Sequence, residues 1–423
     1  MIYMINYLLE YNRYLSLVGI AVILLIALMF SKHRGKINYF QVACALLMQF
    51  GIGVLLLRIF GGSATQGGSL HVFSEFIQSL YGFADQGTQF VFGNLANPAE
   101  SWGFIFAIKV LPIIIFFGAL MSLLFYLGIV QRLVNLIGKM VQPLLGTSGP
   151  ETLCAVANSF LGQTEAPLLI RHYLIKMTKS EMFVVMVSGM ATVSGAIMAV
   201  YAVMGVPAQH ILIAVLMAVP GSILIAKIIY PQIEPESVTG DIQSDQVGQA
   251  KNMFDAISAG TVDGLGLALN VGAMLIVFIS LMALLNAVLG GCGALCNSTF
   301  GTNLPHLSMD LIFSYIFSPF TYLLGLTGME ASQAADLLGT KVTINELVAF
   351  GKMVQMGLSE RSAAIMTYAL CGFSNFSCIG IQVGGIGALV PERRAWLTEL
   401  GLLTVLASSL ANLMSALMVA LII

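Results

Sequence analysis

Long apolar runs separated by short polar segments occupy almost the whole chain. A helix that spans a membrane needs about 20 mostly apolar residues. Eight stretches meet that requirement: 14–31, 40–57, 102–126, 182–204, 208–229, 264–289, 362–388 and 400–423. Three others, near 71–95, 128–145 and 307–325, are interrupted or amphipathic, which favours interfacial helices or helices packed inside the bundle. The pattern predicts an all-α membrane protein with eight transmembrane helices.

Composition supports a lipid-facing exterior. Of the 423 residues, 58% are hydrophobic and only 9% are charged, whereas a soluble domain carries about 25% charged residues. So few charges cannot cover a water-facing surface, and a soluble catalytic domain is excluded. The net charge of -2 gives no reason to expect nucleic acid as a partner.

Basic residues predict the orientation of the spans, because they favour the cytoplasmic side. They cluster at 32–36, 171–179, 227–251 and 393–394. With eight spans, all of these segments lie in the cytoplasm and both termini lie outside it. This arrangement requires about 151–178 to enter and leave from the inside, and about 329–358 to enter and leave from the outside. We therefore expect two re-entrant hairpins of opposite orientation.

A short string recurs at the start of each expected hairpin. Leu144–Glu151 (LLGTSGPE) is matched by Leu323–Glu330 (LLGLTGME), although short strings rich in Leu and Gly can also match by chance. Inverted repeats are common in secondary transporters, with the substrate site at the repeat interface. The predicted organisation is as follows: an N-terminal scaffold with spans 1 and 2 and an interfacial helix (1–95), a first repeat with hairpin 1 (96–230), a cytoplasmic polar linker (231–255) and a second repeat with hairpin 2 (256–423).

Four polar clusters fall where lipid tolerates them poorly, which makes them candidates for function. They are Asn158–Pro167 and Gly339–Glu346 at the hairpin tips, Ser188–Gly195 in span 4 and Cys371–Cys378 in span 7. Solvated loops are the alternative for the first two, and close helix packing is the alternative for the third. In span 7, Gly372 and Asn375 predict an unwound centre.

Together the clusters offer carboxylates, amides, hydroxyls and an aromatic face. This chemistry suits a neutral polyhydroxylated solute with a planar ring, whereas an anionic solute would favour arginine. An intramembrane enzyme would need a nucleophile with a base, or a set of metal ligands. None of the five histidines lies in the middle of a span and no paired aspartates occur within spans, so we expect no enzyme. A channel and a carrier for another solute remain alternatives.

Three strings in these clusters resemble the concentrative nucleoside transporter family in its bacterial eight-span form. They are Gly162–Pro167 (GQTEAP), Asn345–Phe350 (NELVAF) and Tyr368–Asn375 (YALCGFSN), in the family's order and spacing. The resemblance covers about residues 95 to 423. It implies homotrimers in the cell's inner (plasma) membrane, with one nucleoside site in each protomer and no organic cofactor.

The resemblance also implies roles for individual residues. Gln163, Thr164 and Glu165 would recognise the base, Phe373 and Ile197 would contact it, and Glu346 and Asn375 would bind ribose hydroxyls. Cys378 stands where the family often has a ribose-contacting Ser, and a thiol is a weaker hydrogen-bond partner. One sodium ion would be held by the side chains of Asn158 and Thr192 and by carbonyls near Leu161 and Val193.

The implied function is a sodium-coupled symporter that imports nucleosides such as uridine by alternating access. Asn158 favours sodium because it supplies a hard oxygen ligand, and proton-coupled members of the family tend to lack an amide at this position. Proton coupling, or a sodium-coupled carrier for another small polar solute, is the alternative. The segment between Glu346 and Phe373 is short for the family, which would alter the outer gate.

Overall fold

The computed structural model describes residues 7–59, 69–97, 100–103, 105–234, 250–303 and 305–423. These residues form helices and no strand. Most of the predicted linker 231–255 lies outside them. The first long helices of the described chain are α1 (Arg13–Met29), α2 (Tyr39–Val54) and α3 (Ser69–Phe92). Asn38 starts α2 as its N-cap, because its side chain accepts a hydrogen bond from the Gln41 amide.

Besides two single-turn helices at Phe106–Lys109 and Arg171–Leu174, seven helical segments correspond in order to the predicted first repeat. They are α4 (Leu111–Tyr126), α5 (Ile129–Leu145), α6 (Gly149–Ala157), a 3-10 segment (Ala166–Ile170), α7 (Lys179–Ala191), α8 (Gly195–Val203) and α9 (Ala208–Ile229). Span 4 was predicted as one helix, but it is interrupted between α7 and α8. Residues 158–165 form an irregular tip between α6 and the 3-10 segment.

The remaining helices follow the same plan. They are α10 (Met253–Phe300), α11 (Met309–Leu323), α12 (Gly328–Thr343), α13 (Glu346–Gln355), α14 (Glu360–Leu370), α15 (Phe376–Leu389) and α16 (Arg394–Ile422). Helix α10 is much longer than the predicted span 264–289, because helix continues through its polar ends. The predicted unwound centre of span 7 is present as the gap between α14 and α15.

The recurring string forms the same helix-to-helix turn twice. Gly146 and Gly325 both follow a helix and adopt positive φ angles, 56° and 80°, which glycine adopts at little cost. Ser148 and Thr327 are then the N-cap residues of α6 and α12. Since the turn and the cap recur at matching positions, the repeated letters correspond to a repeated structure.

Within the described part of the chain, seven helices are long and apolar enough to cross a membrane. The segment 360–389 is divided between α14 and α15, and α11 and α12 meet at a bend of 116°. Three spans form the centre of the bundle, the first made of α7 and α8, the second of α9 and the third of α16, because more than four-fifths of the most apolar part of each is buried. In contrast, the most apolar part of α10 is 0% buried.

Helix α10 attaches to the bundle through a glycine on α4, Gly118, and two glycines of its own, Gly260 and Gly264. A Cβ atom on Gly118 would lie 2.8 Å from the carbonyl oxygen of Gly260, and one on Gly264 would lie 2.9 Å from the Cα of Ile115. Only small residues allow two helix backbones to approach this closely. The contact holds α10 against the outside of the bundle and leaves most of its surface uncovered.

Candidate functional site

Two interrupted helices meet in the middle of the bundle. The break between α7 and α8 spans residues 192–194, and the break between α14 and α15 spans residues 371–375. The Phe373 amide donates a hydrogen bond to the Thr192 carbonyl at 3.3 Å. The Gly195 amide donates to the Phe160 carbonyl of hairpin 1 at 3.1 Å. Both breaks and the first hairpin tip therefore share one neighbourhood.

Asn375 connects the second break to hairpin 2. As the N-cap of α15, its Oδ1 accepts hydrogen bonds from the Cys378 amide at 3.1 Å and from the Ser377 hydroxyl at 2.6 Å. Its Nδ2 donates to Oε2 of Glu346 at 3.2 Å. The cap orients the amide, so its donor group points to the hairpin tip.

Glu346 is a buried carboxylate at the tip of hairpin 2. The side chain of Asn345 accepts a hydrogen bond from the Val348 amide and so caps α13, which places Glu346 in the first turn. Oε1 of Glu346 accepts a hydrogen bond from the Tyr201 hydroxyl at 3.0 Å. A carboxylate can accept about four hydrogen bonds, so Glu346 can also accept hydrogen bonds from the hydroxyl groups of a bound solute.

The tip of hairpin 1 contacts α15. Nε2 of Gln163 donates a hydrogen bond to Sγ of Cys378 at 3.2 Å, while Oε1 of Gln163 is buried with no partner among the described residues. Thr164 lies against Gly385, where an added Cβ would collide with the Thr164 side chain. Gln163 and Thr164 thus approach the element that carries Asn375 and Cys378.

Glu165 faces a different space. It closes the hairpin tip locally by accepting a hydrogen bond from the Gly162 amide at 3.2 Å. It also lines a cavity of about 810 Å³, together with Thr164 and Ser194. The opposite wall comes from α4 and α10, including Asp263, and the cavity extends to Asp255 near the start of α10. Glu165 therefore lies at the boundary between the hairpin tip and an open vestibule.

Asn158 and Thr192, the predicted cation ligands, lie on either side of Ser188. Nδ2 of Asn158 donates to the Ser188 hydroxyl at 3.0 Å, and the Thr192 hydroxyl donates to the Ser188 carbonyl at 2.8 Å. Oδ1 of Asn158 is buried and has no hydrogen-bond partner among the described residues. A buried oxygen without a partner is costly, and a bound cation would satisfy it. Leu161 and Val193 are also buried beside these residues.

Comparison with known proteins identifies the family. Residues 18–95 match the family described as Na+ dependent nucleoside transporter N-terminus, residues 107–208 match Nucleoside recognition, and residues 210–420 match Na+ dependent nucleoside transporter C-terminus. The chain is also 40% identical over 418 residues to the Nucleoside permease NupC of Helicobacter pylori, covering 96% of this chain and 97% of that protein. The chain belongs to the concentrative nucleoside transporter family.

Other relatives agree with this assignment. An uncharacterized transporter of Haemophilus influenzae is 42% identical over 409 residues, covering 95% of both chains. Sodium/nucleoside cotransporter 1 of Rattus norvegicus is 34% identical over 423 residues, covering 96% of this chain and 63% of that protein. The structure of CNTnw in an inward-facing substrate-bound state is 38% identical, with a TM-score of 0.88 over 97% of this chain and 98% of that chain.

The predicted family and the all-helical membrane fold are confirmed. This concentrative nucleoside transporter is a multi-pass membrane protein, and its family is one of transporters. The roles of individual site residues and the bounds of the domains stay predictions. The structure brings the two hairpin tips and the two helix breaks together. Ile197 is buried on α8, one helical turn before Tyr201 and on the same face.

Two residues of this neighbourhood were not predicted. Tyr201 donates a hydrogen bond to Glu346, and Asn412 of α16 contacts both helix breaks. Tyr201 bears the one polar side-chain group of α8, and Asn412 bears the one amide side chain of α16, which is the signal that could have identified them. Tyr201 is 145 residues from Glu346, and Asn412 is 221 residues from Ala191 and 41 from Cys371, so only the folded chain reveals what they bind.

Proposed function

We propose that this transporter imports nucleosides such as uridine by sodium-coupled symport with alternating access. The observation that carries the proposal is the buried Asn158 Oδ1, which lacks a partner beside the break that follows α7. Sodium prefers hard oxygen ligands such as amide, hydroxyl and carbonyl oxygens, which Asn158, Thr192, Leu161 and Val193 can supply. The family descriptions, which name Na+ dependence, agree with this choice of ion.

The nucleoside would lie between the two hairpin tips. Glu346 and Asn375 would bind ribose hydroxyls, since both are buried and already oriented by their mutual hydrogen bond. Gln163, Thr164 and Glu165 would recognise the base from hairpin 1, while Phe373 and Ile197 would contact its ring. Cys378 would act mainly through its contact with Gln163, which aligns hairpin 1 with α15.

The open cavity supports release of the nucleoside toward the cytoplasm. It extends from Glu165 to Asp255, near the start of α10, and the segment preceding α10 is the predicted cytoplasmic linker. In this conformation the vestibule would open to the cytoplasm, and both termini would lie on the opposite side of the inner membrane. Movement of the hairpins against α4 and α10 would close it.

A homotrimer would cover the uncovered side of α10. Apolar side chains along this helix are strongly exposed, among them Leu269 at 62%, Ile276 at 70% and Leu295 at 66%. Three protomers related by a threefold axis could bury these faces against one another, while lipid would cover the remainder.

Uptake of labelled uridine into proteoliposomes tests the proposal. An inward sodium gradient should drive accumulation, and replacing sodium with choline should abolish it. Uptake that is unchanged without sodium but follows an imposed proton gradient would contradict sodium coupling and favour proton coupling.

A matched pair of variants locates the ion. Asn158→Ala should raise the sodium concentration required for half-maximal uptake by roughly 10-fold or more, because one buried ligand is lost. Asn286→Ala, in α10 and outside the site, should leave the sodium requirement unchanged. Equal sodium requirements in the two variants would remove Asn158 from the ion site.

A further inference from the structure

A lysine is buried where the two helix breaks meet. Lys341 lies near the end of α12 and is only 2% exposed. Its ammonium group donates to the Ala369 carbonyl at 2.8 Å and to Oδ1 of Asn412 at 2.8 Å. Both acceptors are neutral oxygens. A buried charge is expensive unless its surroundings compensate for it, so the groups around this ammonium must stabilise its charge.

Asn412 links this lysine to both breaks. Its Nδ2 donates to the Ala191 carbonyl at 2.7 Å and to the Cys371 carbonyl at 3.0 Å. Its Oδ1 accepts from Lys341 and from the Ser374 hydroxyl at 3.2 Å. The amide side chain therefore uses all four of its hydrogen-bonding positions. One residue of α16 joins the end of α7, the end of α14 and hairpin 2.

Close packing maintains this junction. A Cβ atom on Gly372 would lie 2.5 Å from Oδ1 of Asn412 and 2.8 Å from the Ala191 carbonyl oxygen. Glycine at this position lets the second break approach the first. The Phe373–Thr192 backbone hydrogen bond then joins the two breaks directly.

The electrostatics of the breaks explain why a cation belongs here. The carboxyl end of a helix carries roughly half a negative charge from its unpaired carbonyl groups. Helices α7 and α14 both end at this junction, with Ala191 as the last residue of α7 and Ala369 in the last turn of α14. The Lys341 ammonium binds the end of α14 directly and the end of α7 through Asn412.

The two repeats differ at this point. Thr192 follows Glu151 by the same interval at which Cys371 follows Glu330, so Thr192 and Cys371 occupy matching positions. The first break offers the Thr192 hydroxyl and the unpartnered Asn158 oxygen. At the second break, a thiol replaces the hydroxyl, and Leu337 holds the position that matches Asn158. The second break therefore lacks ligands for a free ion but has the lysine.

We propose that the Lys341 ammonium is a tethered cation that stabilises the second helix break as the mobile ion stabilises the first, and that Asn412 couples the two breaks. Lys341 and Asn412 are then positioning residues: they hold Glu346 and Asn375 in place without contacting the nucleoside. The comparison with a mobile ion rests on the proposed sodium coupling, whereas the role of the lysine charge does not.

Chemical rescue distinguishes charge from packing. Lys341→Ala, reconstituted as the full chain, should lower uridine uptake roughly 10-fold or more, because Ala369 and Asn412 lose a charged donor. Propylammonium chloride should restore part of that uptake, whereas 1-propanol, a neutral molecule of the same size, should not. Lys179→Ala is the control; it removes a partly exposed lysine paired with Glu399, and its uptake should neither fall nor respond to the amine.

Two results would overturn the role of the charge. One is uptake by Lys341→Ala within twofold of the parent protein, and the other is equal rescue by propylammonium and 1-propanol. All uptake is driven by whichever ion gradient drives the parent protein. A failure of sodium coupling therefore appears in the parent protein and is distinct from a failure of the lysine proposal.

Asn412→Asp provides an independent test if Lys341→Ala does not fold. The aspartate keeps an oxygen for Lys341 and Ser374 but loses both donors to Ala191 and Cys371. Uptake should fall roughly 10-fold or more, even though the lysine gains an ionic partner. Uptake at the level of the parent protein would show that the link between the breaks is dispensable.

Discussion

Hairpin 1 and hairpin 2 begin with turns of the same form, yet different interactions stabilise the start of each hairpin. At hairpin 1, Glu151 is 1% exposed and forms an ion pair of 2.7 Å with Lys227 of α9. At hairpin 2, the matching Glu330 accepts hydrogen bonds from the Ser359 amide at 2.9 Å and the Ser362 hydroxyl at 2.6 Å. The start of hairpin 1 therefore depends on a buried ion pair, and the start of hairpin 2 depends on neutral hydrogen-bond donors near the surface.

The tips differ as well. Hairpin 1 has an irregular tip, residues 158–165, that carries amides, a hydroxyl and an unpartnered oxygen. Hairpin 2 turns within two residues, Ile344 and Asn345, and so presents Glu346 directly at the start of α13. The inverted repeat has therefore kept its backbone plan and diverged in chemistry. We infer that hairpin 1 binds the ion and the nucleobase, and that hairpin 2 binds the ribose.

The largest expected effect is a loss of stability when the ion pair at the start of hairpin 1 is broken. Glu151→Gln leaves Lys227 buried without its anionic partner, which should cost about 3–5 kcal/mol of unfolding free energy. Glu330→Gln, its counterpart in hairpin 2, should cost about 1 kcal/mol, because it weakens hydrogen bonds near the surface. Thermal unfolding of the purified variants in detergent measures the difference.

A double variant sharpens this comparison. Glu151→Leu combined with Lys227→Met removes both charges, so it should recover most of the stability lost in Glu151→Gln. Equal losses of stability in Glu151→Gln and Glu330→Gln would contradict the distinction between the starts of the two hairpins.

The next effect is on transport, at the tip of hairpin 2. Glu346→Gln keeps the shape of the side chain but removes its charge and replaces one acceptor oxygen with an NH2 donor, which then faces the donor on Tyr201 or on Asn375. Uridine uptake should fall roughly 10- to 100-fold, since hydrogen bonds to charged groups contribute about 1.5–3 kcal/mol. The control is Glu360→Gln, an exposed residue at the start of α14. Unimpaired uptake by Glu346→Gln would remove Glu346 from the site.

Much of this arrangement was predictable from sequence. Gly372 and Asn375 indicated the break in span 7, because glycine and a capping amide are rare within apolar helices. The break at 192–194 was not predicted, since Thr192, Val193 and Ser194 are small residues that an unbroken, closely packed helix would also accommodate. It forms because hairpin 1 supplies the Phe160 carbonyl for the Gly195 amide, and no local pattern reports that contact.

The same distinction applies to the site. The strings at Gly162–Pro167 and Asn345–Phe350 pointed to the hairpin tips, because broken helices and carboxylates are costly in lipid. The hydrogen bond between Tyr201 and Glu346 depends instead on the fold bringing Tyr201 of α8 to the first turns of α13, where it also packs against Phe350. The length of α10 was underestimated, because helix continues through polar and glycine-containing ends that hydropathy alone does not count.

The smallest expected effect concerns Tyr201. Tyr201→Phe removes one hydrogen bond to Glu346 and keeps the ring, which packs against Phe350 at a centroid distance of 4.4 Å. The Michaelis constant for uridine should rise roughly fivefold, which corresponds to about 1 kcal/mol. An effect as large as that of Glu346→Gln would indicate that Tyr201 itself contacts the nucleoside.

The assignment of the ribose to hairpin 2 is tested most directly by comparing uridine with an analogue that lacks the ribose hydroxyls. Uptake of labelled uridine should be competed by unlabelled uridine and by 2′,3′-dideoxyuridine, in the parent protein and in Glu346→Gln. We predict that the parent protein prefers uridine by roughly 10-fold or more and that Glu346→Gln loses this preference while keeping the sodium requirement of its residual uptake. An unchanged preference for uridine in Glu346→Gln would contradict the assignment of the ribose to hairpin 2.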